Sequence, residues 1–330
     1  MRTITNTDLK IETLGSRTIK SPLPLSNVFG DGVGNFTPDN ALVLLKNHFT
    51  APEQRQADVF LEKAGSREYI YFDPAKTRAA IVTCGGLCPG INNVIRSAVR
   101  QLQNYGVHQV LGIRYGFAGM NPASGYTPIK LSDELIENIH RDGGTILGTS
   151  RGNQPDSTIV DFLVSHQINI LICIGGDGTQ RGAHAIAQEI KKRGEKISII
   201  GVPKTIDNDI DFNQRTFGFS TAIEEAKKVL DCAHVEAHSA FNGIGLVKVM
   251  GRDAGFIAVD ATLASQEVNF TLIPEIPFKL DGEFGLLNLL KQRLARKHHA
   301  VIVVAEGAGQ HLFATQKELR DASGNKLHLD

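Results

Sequence analysis

Much is set by what this chain lacks. It carries no net charge: 35 Lys and Arg stand against 35 Asp and Glu. An extended nucleic-acid footprint needs a basic face, so that class is excluded, though a local basic pocket is not. No stretch is apolar for long enough to read as a transmembrane helix or a secretory h-region, and Met1 to Ser21 is polar and mixed in charge. The four cysteines, Cys84, Cys88, Cys173 and Cys232, show no Cys-x-x-Cys spacing, which excludes a zinc cluster of that type. They are expected to be reduced thiols in tightly packed places, in a cytosolic chain. No internal repeat is present. No Gly-Lys-Ser/Thr follows the Gly-rich turns, which excludes a Walker loop.

What is present is an ordinary globular composition, with 42% hydrophobic and 21% charged residues over 330 positions. That length suffices for two α/β domains or one large one. Residues 1–75, with Pro22 and Pro24 and no sustained period, read as an extension containing a short helix from Pro38 to Lys46. From Arg78 onward the pattern is regular. Strands are expected at 79–83, 107–113, 168–174, 197–202, 244–249, 268–273 and 300–305. Helices are expected at 92–103, 132–139, 179–193, from a Thr221/Glu224 capping box to His234, at 254–264, and at 282–296 after an Asp281 cap. The long helix should turn Ala222, Ile223, Ala226, Val229, Leu230 and Ala233 inward. Such alternation implies an α/β fold with a parallel, doubly wound sheet.

Two segments carry the chemistry. Ile174-Gly175-Gly176-Asp177-Gly178-Thr179 follows a strand and offers flexible backbone, a metal-binding carboxylate and a hydroxyl. Pro203-Lys204-Thr205-Ile206-Asp207-Asn208-Asp209 follows the next strand and offers a lysine and two carboxylates two residues apart. Alternation along an extended loop would put Thr205, Asp207 and Asp209 on one side. Ligand loops in open α/β sheets sit at such strand ends. Together the segments read as a site that holds a polyphosphate and a divalent ion and takes a proton from a hydroxyl. Thr83-Cys84-Gly85-Gly86-Leu87-Cys88-Pro89-Gly90 lets backbone N–H groups approach an anion at a helix N-terminus. Arg151 is a candidate phosphate clamp. Met250-Gly251-Arg252 and Glu306-Gly307 end two further strands and so face the same crevice. His298 and His299 should end a helix and complement its dipole.

These motifs resemble the phosphofructokinase family. Gly85 to Gly90, Gly175 to Thr179, Pro203 to Asp209, Phe217-Gly218-Phe219, Met250-Gly251-Arg252 and Val304-Ala305-Glu306-Gly307-Ala308-Gly309 occur in family order and are similar to the long, plant- and protist-type ATP-dependent branch. The resemblance covers residues 71 to 330. It implies a two-domain α/β architecture with a nucleotide-binding part at 76–215 and a sugar-phosphate part from 216, the latter cut short. It implies transfer of the ATP γ-phosphoryl group to the 1-hydroxyl of fructose 6-phosphate, with magnesium. By that analogy Asp207 is the general base, and Arg151 and Lys204 complete the catalytic set. Asp177 helps hold magnesium. Gly85, Tyr115, Arg151, Gly176, Asp177, Gly178 and Thr179 hold the nucleotide. Thr205, Asp207, Asp209, Met250, Gly251, Arg252 and Glu306 contact the sugar phosphate. Family members assemble as dimers or tetramers, and no nucleic acid or membrane partner is implied.

The chain departs from the family pattern at Gly243, where short bacterial-type members place an arginine that reaches across a subunit contact. It also stops at Leu327-His328-Leu329-Asp330, before the stretch that brings further phosphate-binding Arg and His residues. Three rivals stand beside the ATP-dependent reading. One is a pyrophosphate-dependent enzyme of the same family, whose members carry a second aspartate where Gly178 stands but share the lysine at Lys204. Another is a catalytically impaired nucleotide-binding or regulatory chain. The last is a kinase of the NAD or diacylglycerol type, which the Gly-Gly-Asp-Gly-Thr pentad alone would also suit and which the complete Thr205 to Asp209 element weighs against.

Overall fold

The computed structural model describes residues 4–45, 59–152 and 154–313. Lys46 and the stretch Leu327 to Asp330 lie outside the described residues.

In the N-terminal segment two short antiparallel ladders form. β1 (Ile19–Lys20) pairs with β4 (Tyr69–Ile70), and β2 (Leu42–Leu44) with β3 (Phe60–Glu62). The expected helix after Pro38 is therefore absent at 42–44. Its residues are drawn into a ladder beside buried Arg67, whose guanidinium donates to the carbonyls of Thr37 (3.0 Å), Pro38 (3.1 Å) and Lys63 (2.6 Å). A long-range clasp overrides the local proline signal.

The regular part opens with β5 (Arg78–Thr83), whose Ala79 to Val82 are completely buried, as a central parallel strand requires. α1 (Ile91–Asn104), β6 (Gln109–Ile113), β7 (Ile129–Lys130), α2 (Asp133–Ile136), α3 (Asp156–Ser165), β8 (Ile170–Gly175), α4 (Asp177–Arg193) and β9 (Ser198–Pro203) follow. The sheet order is β7-β6-β5-β8-β9, parallel except for β7. Ile91, Ile95 and Val99 of α1 cover one face; Val160, Leu163, Ile186 and Ile190 of α3 and α4 cover the other. Helix α3, rich in β-branched residues, was not anticipated; burial of Ile159, Val160, Phe162 and Leu163 stabilises it despite modest propensity. The helix expected over 132–139 is one turn, followed by a 3₁₀ turn at Ile139–Arg141.

A second sheet is built from β10 (Gly243–Val249), β11 (Phe270–Leu272) and β12 (His299–Ala305), in the order β10-β12-β11 and all parallel. It is joined by α5 (Phe219–Ser239), α6 (Phe256–Ser265) and α7 (Leu286–Lys297). The fold is thus α/β with mostly parallel sheets. Four details differ from expectation. Helix α5 starts at Phe219 behind Gly218 (φ 91°), so Thr221 lies inside the helix and cannot cap it; burial of Phe219 pulls the start forward. Val229, expected inward, is 54% exposed, whereas Leu230 is fully buried. Helix α7 starts after Gly285, because the N–H groups of Leu286 and Leu287 find the carbonyls of Lys279 (2.8 Å) and Leu280 (3.0 Å). His298 caps α7 with φ 59°, but His299 opens β12 and does not end the helix. Cys84, Cys88 and Cys173 are buried and unpaired, as expected; Cys232 is exposed.

Candidate active site

The C-terminal ends of β5, β8, β9, β10 and β12 deliver the motifs to one crevice. At its centre, Thr205 Oγ1 accepts from the Asp207 amide (3.0 Å) and donates to Asp207 Oδ2 (3.1 Å). The loop is thus a tight turn and not a regular extended strand; Asp207 is buried at 5% exposure and Asp209 is exposed. Asn208 adopts the left-handed region (φ 56°), and its Oδ1 accepts from the Thr216 amide at 2.8 Å. Thr216 Oγ1 donates back to the Thr205 carbonyl at 2.7 Å. Asparagine tolerates that conformation better than most residues. Asn208 and Thr216 therefore clasp the segment that bears Asp207, and sequence reasoning missed both. The Asx-type turn signal at Asn208 could have found the first of them.

Arg252, itself left-handed (φ 51°), places Nε 3.5 Å from Asp207 Oδ2. Its own amide donates to Glu306 Oε2 at 3.2 Å, which joins the ends of β10 and β12. Asp207 Oδ1 is buried and has no partner. Burial raises the Asp207 pKa, and the neighbouring Asp209 and Glu306 charges raise it further; Arg252 and the Thr205 hydroxyl oppose them. A carboxylate poised this way can accept a proton from a bound hydroxyl. Met250 and Gly251 precede Arg252 just after β10, and Met250 is exposed.

On the other side lies the Gly85–Gly86 turn. Buried Lys204 donates from Nζ to the Gly86 carbonyl at 2.6 Å, and Thr149 Oγ1 to that of Gly85 at 2.7 Å. Arg151 Nη2 stands 3.7 Å from where a methyl on Gly86 would sit. Burial lowers the Lys204 pKa, and the Arg252 cation acts in the same direction. Burial pushes the Cys84 thiol up to about 12 and Cys88 to about 11, so neither is a nucleophile near neutral pH. Tyr115 is left-handed (φ 57°), packs on Tyr126 at 4.6 Å between ring centres, and accepts from Arg114 at its hydroxyl (2.9 Å).

Helix α4 begins at Asp177, two residues earlier than expected, so Asp177 and Gly178 occupy its first turn. The Asp177 carboxylate is exposed and accepts from the guanidinium of Arg181, one turn along. That i,i+4 spacing is visible in the sequence. Thr179 is buried with its hydroxyl against Gly175. A methyl on Gly178 would meet nothing within 4 Å. Glycine in a helix costs roughly 0.5–1 kcal/mol relative to alanine, and no neighbour among the described residues requires it here.

Comparison with known proteins gives the family. A family model described as Phosphofructokinase matches residues 78–328. The chain belongs to the phosphofructokinase family. It is 47% identical to the ATP-dependent 6-phosphofructokinase of Borreliella burgdorferi, across 98% of this chain and 74% of that protein. It is 51% identical to ATP-dependent 6-phosphofructokinase 5, chloroplastic, of Arabidopsis thaliana, across 81% of this chain and 50% of that protein. Several relatives are thus matched over only about half their length. Among solved structures, the pyrophosphate-dependent phosphofructokinase of Marinobacter aquaeolei superposes with a TM-score of 0.63 at 26% identity, across 70% of this chain and 61% of that one. In phosphofructokinase terms, the crevice brings Gly85, Arg151, Lys204, Thr205, Asp207, Arg252 and Glu306 together. Asp177, Gly178 and Thr179 form the first turn of α4, at the end of β8.

Proposed function

We propose that this chain catalyses ATP-dependent phosphorylation of fructose 6-phosphate at the 1-hydroxyl. The observation that carries the reading is the Asp207 carboxylate, with Oδ2 held by Thr205 and Arg252 and Oδ1 buried and unpartnered. A buried acceptor without a donor is costly unless a ligand supplies one. Here the donor is the sugar 1-hydroxyl. Asp207 Oδ1 takes its proton as the new oxygen–phosphorus bond forms and the bond to the β–γ bridging oxygen breaks, releasing ADP. Arg151 and Lys204, both beside the Gly85–Gly86 turn, would offset charge on the transferring group, and Lys204 also fixes that turn. Residues 76–215 hold the nucleotide, and Thr205, Asp209, Met250, Gly251, Arg252 and Glu306 hold the sugar phosphate, with the part from 216 onward serving mainly the sugar.

Among the described residues no group of three or more His, Cys, Asp or Glu side chains is arranged to hold a metal ion. The lone exposed carboxylate of Asp177 suits magnesium, which is usually held by one or two carboxylates together with phosphates and waters. Magnesium would supply charge neutralisation on the phosphates.

ATP is the donor favoured by glycine, and not a carboxylate, at position 178 and by relatives named ATP-dependent at 43–52% identity. Pyrophosphate is the second reading, favoured by Lys204. The protein is further proposed to act in the cytosol, in keeping with its unpaired thiols. No helix among the described residues is long and apolar enough to cross a membrane. Self-association is proposed from strongly exposed apolar side chains such as Phe241, Phe284 and Leu246. A coupled assay with ATP or pyrophosphate, each with and without fructose 6-phosphate, tests the function. Sugar-dependent turnover with ATP is expected. Faster turnover with pyrophosphate, or none with either donor, would overturn it.

A further inference from the structure

One side chain joins the two halves of the site without facing either ligand. Gln180 lies in the first turn of α4, three residues after Asp177. Its amide Nε2 donates to the carbonyl of Gly175 at 2.9 Å and to that of Val202 at 3.2 Å. Gly175 ends β8, which feeds Asp177 to Thr179; Val202 lies at the end of β9, which feeds Lys204 to Asp209. The Lys204 amide donates to the same Gly175 carbonyl at 2.9 Å. A second observation is independent of these bonds. A methyl on Gly201 would stand 2.0 Å from Gln180 Oε1. The strand is therefore notched at Gly201 to admit this amide.

We propose that Gln180 is a positioning residue that sets the separation between the phosphate-holding start of α4 and the turn bearing Asp207, with Gly201 as its socket. The inference rests on the phosphoryl-transfer reading above. Transfer requires the sugar oxygen, the phosphorus and the leaving oxygen in line, and a displacement of about 1 Å can cost roughly 100-fold in rate. Gln180 touches no reacting atom. Its loss should leave each half able to bind its own ligand and should impair their alignment.

The test compares the full chain with Gln180→Met, Gln180→Ala, Gly201→Ala and the Gln180→Ala/Gly201→Ala double variant. Methionine keeps the length of the side chain and removes both donors, which guards against a simple folding defect. For either Gln180 variant and for Gly201→Ala, kcat should fall by about 10- to 100-fold, with both KM values within about threefold of the parent. Backbone amides over residues 201–209 should exchange hydrogen faster by about tenfold or more, since the Lys204 amide shares its acceptor with Gln180. The double variant should be no worse than Gln180→Ala, because the methyl then fills vacated space. Unchanged kcat and unchanged exchange in Gln180→Met, or losses that multiply in the double variant, would overturn the inference. If the parent chain fails to phosphorylate the sugar, the functional reading falls. The exchange measurements then still decide whether Gln180 and Gly201 hold the two loops together.

Discussion

Arg252 and Asp207 meet through one oxygen only: Nε of the arginine lies 3.5 Å from Oδ2 of the carboxylate, and Oδ1 is left buried with no partner. The pair comes from the ends of different sheets, so the crevice itself brings them together. The asymmetry orients the carboxylate. One oxygen is fixed by a cation and the Thr205 hydroxyl, and the other is free to take a proton.

Asp207→Asn should separate chemistry from stability. Asparagine keeps the shape but cannot accept the proton, so kcat should fall by about 10²–10⁴-fold with ATP affinity unchanged. Burial raises the Asp207 pKa, so the native state holds this proton more readily than the unfolded chain. The ionised group therefore lowers stability at pH values above its raised pKa; that penalty shrinks as pH falls through the raised pKa and is gone below the ordinary carboxylate range. The variant should melt at a higher temperature than the parent near neutral pH, with the difference vanishing on acidification. Thermal melts across pH, paired with steady-state kinetics, check both halves; a variant with near-normal turnover would move the base elsewhere.

Arg252→Met should act on both substrate and base. A charged hydrogen bond to a sugar phosphate contributes about 1.5–3 kcal/mol, so KM for the sugar should rise by roughly ten- to a hundredfold. Arg252 also opposes the effect of burial on Asp207. Without that cation the Asp207 pKa rises further, and the acid limb of the kcat/KM profile should move to higher pH. An acid limb that stays in place would show that Arg252 does not act on this carboxylate.

Gly178→Asp should discriminate the donors. A Cβ at Gly178 meets no neighbour within 4 Å among the described residues, so the expected penalty is electrostatic. Two like charges about 4 Å apart repel by about 4 kcal/mol at an effective dielectric of about 20. The KM for ATP should rise at least about a hundredfold while the melting temperature changes little. Equal use of ATP by parent and variant in a donor titration would remove Gly178 from the account of donor choice.

The parts of this fold that could be read in sequence are those with strong local signals. The apolar run of β8 and the i,i+3,i+4 face of α1 identify themselves, and Gly175 to Thr179 and Lys204 to Asp207 sit at strand ends as such loops do. What escaped depends on distant contacts. Phe219 moves the start of α5 by burying itself, which no capping signal at Thr221 could report. Leu42 to Leu44 became strand because β3 pairs with them. Asp207 and Asp209 were expected on one side. The Asn208–Thr216 clasp turns the chain so that Asp207 is buried and Asp209 exposed, and its partner lies eight residues away. Gln180 looked like an ordinary helix residue, since its acceptors are defined only once β8 and β9 lie side by side.

The central claim is phosphoryl transfer from ATP to a sugar hydroxyl in this crevice, and ³¹P NMR of the purified chain with magnesium, ATP and fructose 6-phosphate tests it most directly. The account predicts that the γ-phosphate resonance of ATP declines as a second phosphomonoester resonance, on carbon 1 of the sugar, grows in equal amount, and that Asp207→Asn slows both changes together. Release of the γ-phosphate as inorganic phosphate without a new sugar phosphomonoester, or no change in either resonance, would contradict it.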